Sequence, residues 1–338
     1  MSEPDVSDDA LRAGLLARIG EPMGTGGPSV APDPVNLAMI RHWVDAFDDR
    51  NPVYLDAGAA SRAGFGDIVA PPAMLQTWTM PRPRIEGIRA RGGAPGEIDP
   101  DTPVAVLAAA GFRGTLATNS ELEFDRYLHV GEELSSASTL TSVSELKGTG
   151  LGVGYFVEWM NTYRTTAGED VGRQRFRIFK FDPTRSAADL PPRPKPTTGT
   201  ADEPSREKVP GDALAGFDLD VTATVIVAGA IATRDFMPVH HDRDYAQAQG
   251  APDIFMNILT TNGYVARFVT DWAGPDAVVQ RMAIRLGGPA IPGKVLRFSG
   301  AVTDQRTEGA RHHVEVTLAA VNDLGSHATG TVDLTLPA

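Results

Sequence analysis

Apolar residues fall at helical spacing over Leu37, Ile40, Trp43, Val44 and Phe47. That stripe predicts an amphipathic helix with one buried face. Helical patterns return at 74–80 and at 258–272, the second closed by Gly274-Pro275, a stop signal. The other strong pattern is alternation. Residues 120–127, 152–163, 174–181, 295–302, 312–320 and 328–336 read as strands. The order is helices followed by a run of antiparallel strands, given twice, which predicts an α+β architecture.

The two runs are related copies. An offset of 186 places Asp235 on Asp49, Pro238 on Pro52, Val239 on Val53 and His240 on Tyr54. The same offset places Asp242 on Asp56, Ala246 on Ala60, Gly250 on Gly64 and Asp253-Ile254 on Asp67-Ile68. A later pair, Val130 to Leu134 and Pro292 to Leu296, matches at a different offset. The first copy therefore carries an insertion, placed near 81–100. Between the copies, residues 183–212 contain seven prolines and little that is apolar, the composition of an extended linker. The expected division is residues 1–182, a linker at 183–212, and residues 213–338.

Composition narrows the function classes. With 338 residues the chain can build two cores of ordinary size. It has no cysteine, which removes disulfides, thiolate chemistry and cysteine-ligated zinc. The net charge of −12 argues against nucleic acid as a partner, since that needs a basic face. No apolar run is long enough for a membrane span, and the polar, acidic N-terminus is unlike a secretory signal. A cytoplasmic location is the expectation.

The candidate chemistry lies in Asp235-Phe236-Met237-Pro238-Val239-His240. An aspartate five residues before a histidine, with Pro-Val between them, makes a compact acid/base pair on a stiff turn. Histidine suits proton transfer because its ordinary pKa, about 6.5, lies near working pH. In the first copy the histidine is Tyr54, so one site is intact and its twin is degenerate.

The Asp-x-x-Pro-Val-His-x-Asp frame, Tyr245-Ala246 and Asp253-Ile254 resemble the MaoC-like (R)-specific enoyl-CoA hydratases. The resemblance covers most of the chain as two repeats. It implies a tandem hot-dog fold, with an antiparallel sheet wrapped around a central helix in each repeat. The frame departs from the family at Met237, where members usually carry asparagine. Thr233-Arg234-Asp235, Val239 to Asp244, Asn257 to Thr260 and Val269 to Pro275 resemble, more narrowly, one subunit of the two-component actinobacterial hydratases of steroid side-chain degradation. The first half resembles the non-catalytic hot-dog domain of the partner subunit, so the chain looks like a fusion of the two components. The resemblance implies hydration of a bulky 2-enoyl-CoA, with Asp235 and His240 moving protons. It also implies that the backbone N–H of Asn257 stabilises the enolate oxygen. The matching position in the first repeat is Pro71, which has no N–H. It further implies an acyl-CoA substrate, no metal or redox cofactor, and a homodimer of the fused chain.

Other readings stand beside this one. A hot-dog thioesterase or a non-enzymatic acyl-CoA binder would share the fold. Asp48-Asp49 reads as helix-end punctuation without a catalytic role, and His241 as a structural neighbour. His312-His313 alternates faces of a strand, which argues against a shared metal. Gly148 to Gly154 reads as a turn or bulge, because no helix follows it. Arg281, Arg285 and Lys294 read as solvated surface before they read as phosphate ligands.

Overall fold

The structure, a computed structural model, describes residues 7–93, 99–186, 188, 211 and 213–337. Most of the expected linker lies outside these residues, as does part of the expected insertion. Eleven strands form one antiparallel sheet. They are β1 (Ser29–Val30), β2 (Gly114–Phe124), β3 (Leu134–Val143), β4 (Lys147–Thr149), β5 (Gly152–Thr165), β6 (Asp170–Asp182), β7 (Phe217–Val221), β8 (Val278–Leu286), β9 (Lys294–Glu308), β10 (Arg311–Asn322) and β11 (Gly325–Pro337). The strand order is β1-β3-β5-β6-β2-β8-β11-β10-β9-β7, with β4 paired to β5 outside that path. The first repeat thus supplies one half of the sheet and the second repeat the other. They join where β2 meets β8, from Asn119 opposite Arg285 to Glu123 opposite Arg281. Pairing two repeats in this way buries one edge of each half-sheet.

Inside the curve of the sheet lies the central helix of the second repeat, Ile258–Ala273, buried along nearly its whole length. Its Gly263 sits against the ring of Phe47, at the end of the first repeat's helix Leu37–Phe47. That helix packs on its counterpart Ala223–Ala232, so the copies meet helix to helix as well as strand to strand. Two bonds tie the halves further. Tyr127 Oη accepts the Val279 N–H (2.9 Å) and Arg267 Nη1 donates to the Phe47 carbonyl (2.7 Å).

The central helix of the first repeat is much shorter than its twin. A 3-10 turn at Pro72–Met74 runs into a single helical turn, Leu75–Trp78, where the apolar pattern predicted a helix over 74–80. Pro81 accounts for the early end, because the residue before a proline is pushed out of helical backbone. The glycine-rich stretch at 148–154 is a tight hairpin between β4 and β5. At Gly152, with φ 134°, a side chain would collide with the Asp182 carbonyl.

Candidate active site

Two local devices aim Asp235. The helix Ala223–Ala232 ends in a closed turn, with Arg234 N–H donating to the Ile231 carbonyl (3.0 Å) and Asp235 N–H to the Ala230 carbonyl (2.9 Å). Arg234 takes left-handed backbone, φ 59°, to make this possible. Pro238 then opens a 3-10 turn, Pro238–His240, which lifts the imidazole back toward the aspartate. His240 Nε2 stands 3.4 Å from Asp235 Oδ2, with both side chains nearly enclosed.

The orientation of the imidazole is fixed from behind. Its Nδ1 lies 2.7 Å from the Phe255 carbonyl. A carbonyl oxygen only accepts, so Nδ1 carries a proton, and Nε2 is the ring nitrogen turned toward Asp235. The Phe255 ring meets the imidazole edge-on, with centroids 5.1 Å apart.

Asp235 is braced equally well. Its Oδ2 accepts from Asn257 Nδ2 (3.0 Å) and its Oδ1 from the Met237 N–H (3.3 Å). Burial alone would raise its pKa. The charge and hydrogen bond of His240, with the Met237 and Asn257 donors, outweigh that and hold the carboxyl below its ordinary value. Asn257 is the N-cap of the central helix, with Oδ1 accepting the Thr260 N–H (2.6 Å) while Nδ2 also reaches Thr233 Oγ1 (3.0 Å). Its own N–H belongs to the helix start, where donors lack intrahelical partners and the dipole favours negative charge.

All three predicted site residues therefore meet at one helix tip. The family resemblance implies a role for the backbone N–H of Asn257 only. The side chain turns out to bind the aspartate, and an asparagine three residues before Thr260 was the available signal, as an N-cap spacing. The parts played by Phe255 and Thr233 had no such signal, since one acts through its carbonyl and the other through a bond to Asn257.

The twin frame is built alike and ends differently. Asp49 is buried and accepts the Asn51 N–H (3.0 Å). Tyr54 replaces the histidine and Pro71 the asparagine, so no imidazole and no carboxamide stand where the second repeat has them. Burial pushes the Asp49 pKa up to about 6 and holds the Tyr54 phenol well above its usual value. Asp48, the left-handed end of its helix, pairs with Arg50 (3.1 Å) at the surface.

The remaining candidates are surface groups. His241 Nε2 contacts the Phe236 carbonyl at 3.2 Å, beside the site and outside it. His312 bonds Thr307, and His313 faces Glu308. Arg281 is held by Glu121 and Asp333, and Lys294 by Asp323. Arg285 lines an open cleft of about 360 Å³ with Arg175, Arg177, Glu121 and Glu158. That cleft lies along the β2–β8 seam, away from Asp235 and His240. No helix among the described residues is long and apolar enough to cross a membrane.

Residues 23–174 match the family described as FAS1-like, dehydratase domain region, and residues 207–323 match the MaoC like domain. The chain is 41% identical over 169 residues to the 3-oxo-4,17-pregnadiene-20-carboxyl-CoA hydratase alpha subunit of Mycobacterium tuberculosis, covering 50% of this chain and 51% of that protein. It is 47% identical over 128 residues to the beta subunit of the same hydratase, covering 38% of this chain and 96% of that subunit. The chain thus spans about half the length of the alpha subunits it matches and nearly all of the beta subunit. A solved MaoC-like dehydratase superposes with a TM-score of 0.70 over 96% of this chain and 99% of its own, at 22% identity, which bears out the fold. With one full-length relative at such identity, and the matching fold across both repeats, the chain belongs to the MaoC-like dehydratase family.

Proposed function

We propose that this protein adds water across the 2,3 double bond of a bulky 2-enoyl-CoA thioester, of the steroid side-chain type that the two Mycobacterium tuberculosis relatives are named for. The observation that carries this reading is the convergence of His240 Nε2 and Asp235 Oδ2, 3.4 Å apart, at the N-terminal tip of the central helix.

In this reading a water molecule lies between the imidazole and the carboxylate. Its oxygen bonds to C3 as one proton passes to the pair. The π electrons move onto the thioester oxygen, making an enolate that the Asn257 N–H and the helix dipole stabilise. The enolate collapses as C2 takes a proton from the pair, and the site is restored. Positioned acid/base groups contribute about 10²–10⁴ in rate, and one oxyanion donor about 10²–10³. The steps use neither metal nor redox cofactor, and CoA enters as part of the substrate. The first repeat, with Tyr54 and Pro71 in place of reactive groups, binds and shapes the acyl group. The division into 1–182 and 213–338 with a linker between follows the same reading. So does a dimer of the fused chain, a symmetric assembly that light scattering would measure.

The test follows loss of the enoyl thioester absorbance alongside release of free thiol. Hydration without thiol release supports the reading. Thiol release instead would make the protein a thioesterase. Asp235→Asn and His240→Ala should each slow hydration by about 10²–10⁴ in proteins that remain folded, and unchanged rates would remove both residues from the chemistry.

A further inference from the structure

His327, on β11, is buried and has no part in the chemistry above. Its Nδ1 lies 2.9 Å from the Gly288 carbonyl and its Nε2 3.0 Å from Thr261 Oγ1. A carbonyl oxygen only accepts, so Nδ1 carries a proton. Burial holds the imidazole below its ordinary pKa, and in the neutral ring Nε2 accepts from the Thr261 hydroxyl. Thr261 belongs to the first turn of the central helix. Its N–H donates to the Asn257 carbonyl (3.1 Å), and its Oγ1 lies 3.1 Å from the same oxygen. Gly288 belongs to the loop between β8 and β9, and that loop holds the entry to the helix, where the Met256 N–H donates to the Ala290 carbonyl (2.9 Å). The imidazole thus links the loop that holds Met256 to the helical turn that follows Asn257. The tripeptide Phe255-Met256-Asn257, gripped in this way, carries both the carbonyl behind His240 and the N–H at the helix tip.

The first repeat has the same backbone arrangement with neither polar group. The Ala70 N–H donates to the Leu128 carbonyl (2.8 Å), as that of Met256 does to Ala290. The Asp125 N–H donates to the Val171 carbonyl (3.2 Å), as that of Gly287 does to His327 (2.8 Å). By this register Val171 stands in the place of His327, and at the offset of 186 Leu75 stands in the place of Thr261. Both are buried. Leu75 packs against the strand next to Val171, its Cδ2 lying 2.9 Å from where a side chain on Gly172 would begin. An apolar pair therefore suffices for the fold. The imidazole–hydroxyl pair occurs in the repeat that has Asp235, His240 and Asn257, and the repeat that lacks the last two lacks the pair as well. Burying polar groups carries a desolvation cost that the apolar pair avoids, so fold stability does not call for them.

We infer that His327 and Thr261 are positioning residues for the reaction, fixing where the Asn257 N–H and the Phe255 carbonyl stand. The inference rests on the hydratase reading and deepens it by adding a support behind the helix tip. Neither residue touches the acid/base pair. They act through Asn257, whose N–H meets the enolate oxygen, and through Phe255, whose carbonyl orients His240. A donor aimed at charge that develops only in the transition state loses its effect when it is displaced, with little change in how the substrate binds.

The experiment measures kcat, KM and thermal melting of the full chain on one enoyl-CoA substrate. The double variant His327→Val with Thr261→Leu installs the pair found in the first repeat. It should melt near the wild type while kcat falls about 10-fold or more and KM changes little. Thr261→Val, which removes the hydroxyl with little change in shape, should lose kcat in the same way, and it serves as the reading if the double variant does not fold. Thr261→Ser keeps the hydroxyl and should recover most of the rate. Unchanged kcat in a folded variant that lacks the hydroxyl would overturn the inference, even where the melting temperature falls, because the pair would then be structural. A rise in KM with kcat intact, or an equal loss of kcat in Thr261→Ser and Thr261→Val, would overturn it as well. All of these outcomes leave wild-type hydration in place. A wild type that hydrates no enoyl thioester would instead overturn the hydratase reading and the inference with it.

Discussion

Arg234 in the second repeat and Asp48 in the first hold the same left-handed backbone, φ 59° and 47°, each directly before the aspartate of its frame. In both, that aspartate's N–H reaches back five residues, Asp235 to the Ala230 carbonyl and Asp49 to the Val44 carbonyl. The closed turn is therefore older than the divergence of the two sites, and it sets the direction in which each carboxyl leaves its helix. A left-handed L-residue costs about 1–2 kcal/mol that glycine does not incur. Arg234→Gly should stabilise the protein by roughly 0.5–1 kcal/mol after glycine's greater chain entropy is counted. Arg234→Val, β-branched, should destabilise it. Denaturant midpoints of the three proteins decide the matter, and a loss of stability in the glycine variant would show that the arginine side chain outweighs its backbone.

The two aspartates differ because of what faces them. Asp235 has an imidazole and a carboxamide and is held below its ordinary pKa, whereas Asp49 has neither and is pushed up to about 6 by burial. A carboxyl raised from 3.8 to about 6 on folding binds its proton more tightly in the folded state. Its contribution is intact below about pH 4 and is lost as pH rises toward 6. Above that, the shift corresponds to roughly 2–3 kcal/mol of destabilisation. Asp49→Asn should thus gain stability over the wild type between pH 4 and pH 8. Unfolding measured for both proteins across that range tests it, and parallel curves would mean that Asp49 is not strained by ionisation.

Much of this was readable in the sequence, and the omissions have physical causes. The frame, its degenerate twin and the helix at 258–273 announce themselves through punctuation: a proline after each turn, an N-cap asparagine, a closing Gly-Pro. Strand β10 alternates cleanly, with Val314, Val316, Leu318 and Ala320 turned inward. Strand β3 did not stand out, because it reads LSSASTLTSV and buries only Leu134, Leu140 and Val143. Strand β8 was hidden by its arginines, which pair across the sheet with Glu121 and Asp333. At the site, the bonds invisible in advance are those of tertiary contact: the Phe255 carbonyl behind His240, and the Asn257 carboxamide on Asp235.

Asn257 does two jobs that one substitution can separate. Aspartate caps a helix as well as asparagine does, so Asn257→Asp should keep the bond to the Thr260 N–H. The same change replaces a donor 3.0 Å from Asp235 with a second carboxylate. Like charges this close drive the pair's pKa upward. The acidic limb of the kcat/KM profile should then move to higher pH while the fold persists. A profile that stays in place would mean that the carboxamide braces the aspartate without setting its ionisation.

Gly263 tests how the halves are held together. An alanine there would gain about 1 kcal/mol of helix propensity. Its Cβ, however, would lie 2.3 Å from Cε1 of Phe47, and Phe47 is buried and stacked on Trp43 with ring centroids 4.3 Å apart. The ring has nowhere to turn without disturbing Trp43, so overpacking by roughly 1–3 kcal/mol outweighs the propensity. Gly263→Ala should lower the melting temperature, and Phe47→Leu in the same chain should recover part of the loss by removing the ring atoms that collide. If Gly263→Ala melts higher than the wild type, the helix is not pressed against the first repeat. The joint between the copies would then rest chiefly on the β2–β8 pairing and the helix pair at 37–47 and 223–232.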